Sequence, residues 1–165
     1  MNMNELQDSL PQIGRVEWIG VRPERYEDLK AVDQVEVQED KGLAADHFQG
    51  ILGSKRQVTL IQKEHLQAVA SYMGLEKVDP NLTRRNIVTQ GINLHALKDR
   101  RFIIGEVLFE GTGNCAPCSR MEENLGPGGW NAMRGHGGIC ARVIEAGTIK
   151  VGDEVKLAVT AMSTD

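Results

Sequence analysis

Short stretches in which apolar and polar residues alternate recur along this chain, and glycine or proline separates many of them. An alternation of period two is typical of a β-strand with one buried face, and short β-branched runs also favour strands. On these patterns we predict strands in GRVEWIGV (14–21), DQVEVQED (33–40), QVTLIQ (57–62), NLTRRNIVTQGINLHAL (81–97) and FIIGEVLFEGTG (102–113, two arms around Gly105). The segment GICARVIEAGTIKVGDEVKLAV (138–159) predicts a strand, a tight turn near Gly147, a second turn at VGD and a closing strand.

Helical spacing is rarer than strand alternation in this chain. In KEHLQAVASYMGL (63–75), one helical face would carry Leu66, Val69, Ala70 and Met73. Gly74 suits the end of that helix, since glycine adopts the left-handed conformation of a helix C-terminus without strain. A second, short helix is expected over residues 119–125, with a loop at GPGGW (126–130).

The order of these elements predicts a mainly β (α+β) fold. Many short strands, glycine turns and one or two helices favour a closed or nearly closed β-barrel with a few appended helices. Residues 1–12 are polar and contain a proline, so we expect a loose N-terminal lead-in, and residues 13–165 form a single domain. The glycine-punctuated segment KGLAADHFQGILGSKR (41–56) is expected to be a loop.

Composition narrows the function classes. The formal net charge is −4 and aromatic residues make up only 4%, so no general nucleic-acid binding is expected. The N-terminus has no basic segment followed by an apolar run, and no stretch is long and apolar enough to cross a membrane, so we expect a cytoplasmic protein without a membrane partner. Three cysteines cannot form a complete set of disulfides, and a reducing cytosol would keep them as thiols.

All three cysteines lie in one glycine-rich segment, and their spacing allows several kinds of site. Cys115, Cys118, His136 and Cys140 could supply the three sulfurs and one nitrogen of a tetrahedral zinc site. CAPC also has the spacing of a redox dithiol, although no βαβ pattern is visible around it.

A third interpretation is a single functional thiolate at Cys118, with Arg120, Arg134 and Arg142 within reach along the sequence to stabilise its charge. Such a thiolate could bind a soft metal or carry sulfur as a persulfide. Cys140, between an isoleucine and an alanine on a strand, is interpreted as a core residue, and Cys115 stays undecided.

Five segments, in this order, resemble the MOSC domain, a family named for the C-terminal part of molybdenum cofactor sulfurases, and in particular its small free-standing bacterial members. They are GLAADHF, RQVTLI, RRNIVTQGINL, IGEVLFEGTGNCAPC and RGHGGICARVIEAGTIKVGDEV, and the resemblance spans about residues 14–157. The family's hallmark cysteine occupies a Pro-Cys step, which falls on Cys118. Cys115 and Cys140 match no hallmark, which argues against the zinc site. One departure is Ala45, where the family loop usually has a glycine before the aspartate.

The resemblance implies a β-barrel with a pocket near Cys118 that binds a molybdenum–pterin cofactor, with the cysteine sulfur on the metal. Arg84, Arg85 and Asn86 would offer donors to the cofactor phosphate. The glycines around Gly137 would let backbone N–H groups approach an anion, and Arg134 is a further cofactor-binding candidate. Asp46 could bond a pterin edge, and His47 could pass a proton. Each has a simpler alternative as a surface arginine, a turn residue or a packing residue.

Two functions from different classes follow from this resemblance. The leading one is reduction of N-hydroxylated small molecules, with Cys118 as metal ligand, His47 as proton donor and electrons from a separate flavin or iron–sulfur partner protein. The other is a sulfur carrier, in which Cys118 accepts a persulfide from a cysteine desulfurase and delivers sulfur to metal–sulfur centres. Pyridoxal phosphate would then belong to that partner, because no lysine here resembles its site. A zinc-stabilised binding domain is the third option.

Overall fold

The computed structural model describes residues 1–25, 27–47 and 53–158. The strands are β1 Gly14–Val21, β2 Lys30–Val32, β3 Gln34–Gln38, β4 Gly42–Leu43, β5 Val58–Gln62, β6 Ile87–Gln90, β7 Arg101–Ile104, β8 Val107–Asn114, β9 Ile139–Glu145, β10 Gly147–Lys150 and β11 Glu154–Leu157. The α-helices are α1 Met3–Asp8, α2 Lys63–Met73, α3 Ser119–Leu125 and α4 Gly129–Met133, and single 3₁₀ turns occupy Pro80–Thr83 and Leu94–Leu97.

Seven of these strands close into a barrel. Their order is β11–β7–β8–β9–β5–β6–β1, and β1 returns to pair with β11. Neighbours are antiparallel except for β5 and β6, which run parallel. Strand β2 extends the sheet beside β1, and β10, β3 and β4 form a separate three-stranded sheet. The predicted mainly β fold with a closed barrel and a few helices is confirmed.

The barrel interior is apolar because alternate residues of its long strands point inward. Alternate residues are buried from Val107 to Gly111 in β8 and from Ile139 to Val143 in β9, as the sequence alternation predicts. Phe102 and Phe109 are fully buried, lie opposite each other on β7 and β8, and stack with ring centroids 5.4 Å apart. These two stacked rings are part of the apolar core of the barrel.

A second apolar cluster lies outside the barrel, beneath the helices. It contains Ile61, Val69, Val88, Met121 and Met133, which come from β5, α2, β6, α3 and α4. Strand β5 is buried along its whole length because one face lines the barrel and the other lies under these helices. The helices therefore cover one side of the barrel, and α3 is packed there in a defined position.

Most predicted elements are confirmed, but of the predicted strand 81–97 only Ile87–Gln90 is a strand (β6), and 3₁₀ turns occupy Pro80–Thr83 and Leu94–Leu97. Helix α2 ends at Gly74, whose φ of 69° is in the left-handed region, and α3 spans the predicted residues. The prediction of a loop at GPGGW is wrong in part, because helix α4 begins at Gly129. No βαβ pattern was recognised in the sequence, but one βαβ unit is present, because α2 connects the parallel strands β5 and β6. This unit does not contain the CAPC segment.

The first residues also differ from expectation. Where a loose lead-in was expected, α1 forms with reciprocal capping bonds between Asn2 and Glu5, although it buries no side chain. The expected loop 41–56 contains the short strand β4. Residues 48–52 of that loop and the C-terminal residues 159–165 of the predicted domain lie outside the described residues.

Gly138, at the start of β9, shows why glycine is needed in the RGHGG segment. Its φ is +83°, and a Cβ there would lie 1.8 Å from the carbonyl oxygen of Leu60 on the neighbouring strand. Gly135 in the same segment has a similar φ of +78° but no atom within 4 Å of the corresponding position. Gly138 therefore lets β9 and β5 approach closely.

We expect Gly138→Ala to lower the free energy of unfolding by about 3 kcal/mol or more, because the clash adds to the left-handed strain. Gly135→Ala carries only the strain and should cost about 1 kcal/mol. Urea unfolding of both variants measures the difference. Equal losses would show that the close contact with Leu60 has no energetic weight.

Candidate functional site

Arginine side chains converge on one cleft of about 470 Å³. Its lining comprises Arg22, Arg25, His47, Arg56, Arg84, Arg85, Cys118 and Arg120. Because the chain as a whole has a net charge of −4, this positive surface is a local concentration and not a general property of the protein. Six guanidinium groups around one cleft favour a ligand that carries several negative charges.

The lining residues come from five separate segments. They follow β1 (Arg22, Arg25), follow β4 (His47), precede β5 (Arg56), precede β6 (Arg84, Arg85) and begin α3 (Cys118, Arg120). Barrel closure brings these segments together, although they are spread over almost a hundred residues of sequence. The site is therefore a product of the tertiary fold.

Cys118 is an exposed thiol at the wall of this cleft. It occupies the position before the first turn of α3 with extended backbone (φ −114°, ψ 175°), and its carbonyl accepts a hydrogen bond from Met121 N–H at 3.0 Å. Burial lowers the pKa of Arg84, with further lowering from Arg22 and Arg120, while Cys118 acts in the opposite direction. The arginines thus repel one another around the thiol, and an anion bound there would relieve that repulsion.

Arg85 has a different environment from the other cleft arginines. It is only 2% exposed. Its Nε donates to the carbonyl of Gly137 at 2.7 Å, and Nη1 donates to Thr83 at 3.1 Å. Its Nη2 donates to the carbonyls of Cys115 at 3.1 Å and Ala116 at 3.2 Å. Burial lowers the pKa of Arg85. Arg85, predicted to donate hydrogen bonds to a phosphate, therefore uses most of its N–H groups to hold three backbone segments together.

Asp46 and Asn86, predicted to bind cofactor, lie beneath the cleft and do not line it. Both are buried. Asn86 Oδ1 accepts from the backbone and hydroxyl of Thr59 (3.2 and 3.1 Å), and Nδ2 donates to Gly20 O (3.2 Å) and Asp46 Oδ2 (3.3 Å). Asp46 Oδ1 accepts the Arg22 backbone N–H at 2.7 Å. Burial raises the pKa of Asp46, which these hydrogen bonds oppose. In this arrangement Asp46 and Asn86 position Arg22 at the cleft wall.

Arg134 and Gly137 lie at a neighbouring cavity of about 380 Å³, together with Trp130 and Cys115. The Arg134 guanidinium lies over the Trp130 ring, 5.4 Å from its centroid. The carbonyl of Gly137 accepts from Arg85, and a Cβ at Gly137 would lie 2.1 Å from Cys115 O. The structure therefore separates these two predicted residues from the arginine cleft and gives Gly137 a packing role.

The four ligands of the alternative zinc site do not meet. His136 packs edge-on against His65 and Tyr72, with centroids 4.9 and 5.5 Å away, and Cys118 faces the arginine cleft. No group of three or more metal-ligating side chains forms among residues 1–25, 27–47 and 53–158. The zinc interpretation of these residues therefore finds no support in the geometry.

The cysteines pair differently from the CAPC interpretation. Cys115 is 2% exposed, whereas Cys140, interpreted from the sequence as a core residue, is only half-buried. The neighbouring Cys140 thiol lowers the pKa of Cys115, as do Arg85 and Arg56, and desolvation opposes this lowering. The same pairing raises the pKa of Cys140. Cys115 thus contacts Cys140 across the strands, which sequence spacing did not indicate.

A comparison with protein families decides the relationship that the sequence suggested. The model of the MOSC domain family matches residues 47–156, about two thirds of the chain. The chain belongs to the MOSC domain family.

Crystal structures of other proteins show the same fold as this MOSC domain. YuaD from Bacillus subtilis superposes with a TM-score of 0.77 at 19% identity, covering 90% of this chain and 97% of that one. YiiM from Geobacillus stearothermophilus gives 0.72 at 18% identity, covering 88% and 75%. YiiM from Escherichia coli gives 0.67 at 19%, covering 88% and 70%. At these identities the likeness establishes the fold. No curated protein matches the chain significantly.

The loop in which this MOSC domain departs from the family pattern turns at Ala45. Ala45 has a φ of 66°, in the left-handed region that a glycine would adopt more easily. The turn places Asp46 against the Arg22 backbone and brings His47 to the cleft, where the His47 N–H donates to Arg22 O. Phe48, the last residue of the quoted motif, lies outside the described residues.

Several cleft residues of this MOSC domain were missed as binding candidates. Arg22, Arg25 and Arg56 lie beside strand ends, and Arg120 was considered only as a neighbour of Cys118 in sequence. Only Arg22 lies immediately outside a strand, and the others share no local signal in the sequence. As for membrane insertion, the described helices are all too short or too polar to cross a bilayer.

The Arg85 contacts predict a stability effect in this MOSC domain. Lysine cannot reproduce the planar array of donors that reaches Thr83, Cys115, Ala116 and Gly137. We expect Arg85→Lys to lower the free energy of unfolding by about 3 kcal/mol, and Arg84→Lys, at a more exposed site, by less than about 1 kcal/mol. Urea unfolding of both variants tests this. Similar stabilities for the two would contradict the assigned role of Arg85.

Proposed function

We propose that this MOSC domain binds the molybdenum cofactor in the arginine cleft, with the Cys118 thiolate as a ligand to the metal, and reduces N-hydroxylated small molecules. The observation that carries this proposal is the convergence of several arginines on one exposed cysteine. Family membership supports it, since the Pro-Cys step of the family falls on Cys118.

The residues present fit such a group. The cofactor ends in a phosphate, and guanidinium groups bind phosphate with paired, charge-assisted hydrogen bonds. A volume of about 470 Å³ lies within the range of sites that take small molecules and cofactors. The exposed thiol offers the soft sulfur ligand that suits a transition metal of this kind.

Each protein group then has a distinct task. Arg84 and Arg120, which repel each other beside Cys118, would hold the anionic end of the cofactor, and Arg22 would complete that wall. Cys118 would hold the metal. When bound, the cofactor would supply two-electron redox chemistry. His47, exposed at the cleft wall, would hold a proton and deliver it to the substrate. Electrons would come from a separate partner protein.

One observation favours the sulfur carrier as a second candidate. Cys118 is exposed, which is what transfer of a persulfide between two proteins requires. The carrier, however, does not account for the arginine cluster, because a persulfide carries a single charge whereas five arginines besides the backbone-bonded Arg85 line the cleft. The cofactor proposal accounts for both features.

Metal analysis distinguishes the two functions. We expect protein expressed with molybdate to contain molybdenum close to one atom per chain by inductively coupled plasma mass spectrometry, and Cys118→Ser to lose most of it. Arg101→Ala, at an exposed site on β7 outside the cleft, is the matched control and should retain the metal. A metal-free wild type with an extra sulfur on Cys118 by intact mass would support the carrier and overturn the cofactor proposal.

The arginine cleft can also be tested without the metal. We expect inorganic pyrophosphate to bind the purified chain, and Arg84→Ala to weaken that binding about tenfold, as expected for loss of one charge-assisted contact. The affinity should fall as salt rises, because the attraction is electrostatic. Isothermal titration calorimetry gives the dissociation constants, with Arg101→Ala as control. Equal weakening by both variants would show that the binding is not at the cleft.

A further inference from the structure

Cys115 and Cys140 form a second thiol site, separate from Cys118, at the junction of β8 and β9. Cys140 pairs with Gly113 in the antiparallel ladder, and the backbone N–H of Cys115 donates to Gly138 O at 2.9 Å. Gly113 has no side chain, so none stands directly opposite Cys140 on β8. Cys115, two residues further along and on the same side as Gly113, is therefore the diagonal neighbour of Cys140, and each thiol shifts the pKa of the other.

The surroundings of this pair favour one thiolate and one thiol. Arg85 and Arg56 both stabilise negative charge at Cys115, and the Cys140 thiol donates its hydrogen to the Cys115 sulfur. The opposite shifts of the two pKa values follow from this sharing of one proton. A thiolate beside a protonated thiol is the arrangement that forms a disulfide readily after oxidation.

We propose that Cys115 and Cys140 are a redox-active pair that a hydroperoxide oxidises to a disulfide. This function is additional to the proposed cofactor chemistry and does not rest on it, because neither cysteine is the suggested metal ligand. The pair also replaces the Cys115–Cys118 dithiol that the CAPC spacing suggests, since the thiol in contact with Cys115 is that of Cys140.

The reaction balances with hydrogen peroxide as the oxidant. The Cys115 thiolate attacks one peroxide oxygen, the O–O bond breaks, and the departing hydroxide takes up a proton to become water. The Cys140 thiol then attacks the resulting sulfenic acid, so that an S–S bond forms, the S–O bond breaks and a second water leaves. The two thiols lose two electrons, and the peroxide gains them.

The cavity that contains Trp130 and Arg134 gives a small oxidant a path to this pair. Cys115, Asn114 and Ala116 all line that cavity, which has a volume of about 380 Å³ and shares no lining residue with the arginine cleft. A disulfide would join β9 covalently to the segment that carries Cys118. Oxidation of the pair would thus constrain the same backbone segment that Arg85 holds through hydrogen bonds.

The test uses the full chain with Cys118→Ser, which leaves Cys115 and Cys140 as its two cysteines. After treatment with hydrogen peroxide we expect the intact mass to fall by about two hydrogens, with no thiol left to alkylate in denaturant. Tryptic digestion without reductant should release the peptide 102–120 linked to 135–142, and dithiothreitol should separate them.

A matched variant, Cys118→Ser with Cys140→Ser, should lose the two-hydrogen change and instead gain oxygen on Cys115. The parent Cys118→Ser measurement remains decisive even where this second variant folds poorly. Two alkylatable thiols after peroxide treatment, or oxygen addition without a linked peptide, would overturn the proposal. Because molybdenum is not measured in this experiment, its failure would leave the cofactor proposal standing, and the reverse also holds.

Discussion

The buried Arg85 guanidinium is the interaction on which the candidate site depends. A cation at this depth is costly unless its donors are satisfied, and here backbone carbonyls rather than a carboxylate satisfy them among the described residues. Those carbonyls belong to the segment before β6, to Cys115 and Ala116 after β8, and to Gly137 before β9. The position of Cys118 therefore follows from the hydrogen bonds of a residue that presents few of its own donors to a ligand.

Because no carboxylate pairs with Arg85 among the described residues, its positive charge also acts on other nearby groups. It stabilises negative charge at Cys115 on one side and adds to the positive cleft on the other. The buried Asp46 interacts with Arg22 and His47, but burial raises the pKa of Asp46 and so disfavours its charged form. An acidic protein thus keeps one positive cleft, at which arginines from separate segments meet.

The strands and helix α2 could be predicted because their signals are local. Alternation in β8 and β9, and the spacing of Leu66, Val69 and Ala70, report directly which side chains are buried. Helix α4 was missed because its glycine-rich start carries a weak helix signal. Barrel closure, and with it the meeting of Arg22 with Arg84, depends on pairing between distant strands. Single-sequence periodicity contains no information about which strand pairs with which.

The cysteines show the same limit most clearly. Spacing in sequence placed Cys115 with Cys118, three residues away, whereas the ladder pairs Cys140 with Gly113, two residues before Cys115, and makes Cys140 the thiol that interacts with Cys115. Cys118 has extended backbone and lies at the start of α3, so its thiol is at the cleft. The carbonyl of Cys115, in contrast, accepts a hydrogen bond from the buried Arg85. One short segment thus supplies two thiols to two separate environments. Arg85 donates to the backbone carbonyls of Cys115 and Ala116, so Cys118 and the Cys115–Cys140 pair are joined through one backbone segment but lie in different environments.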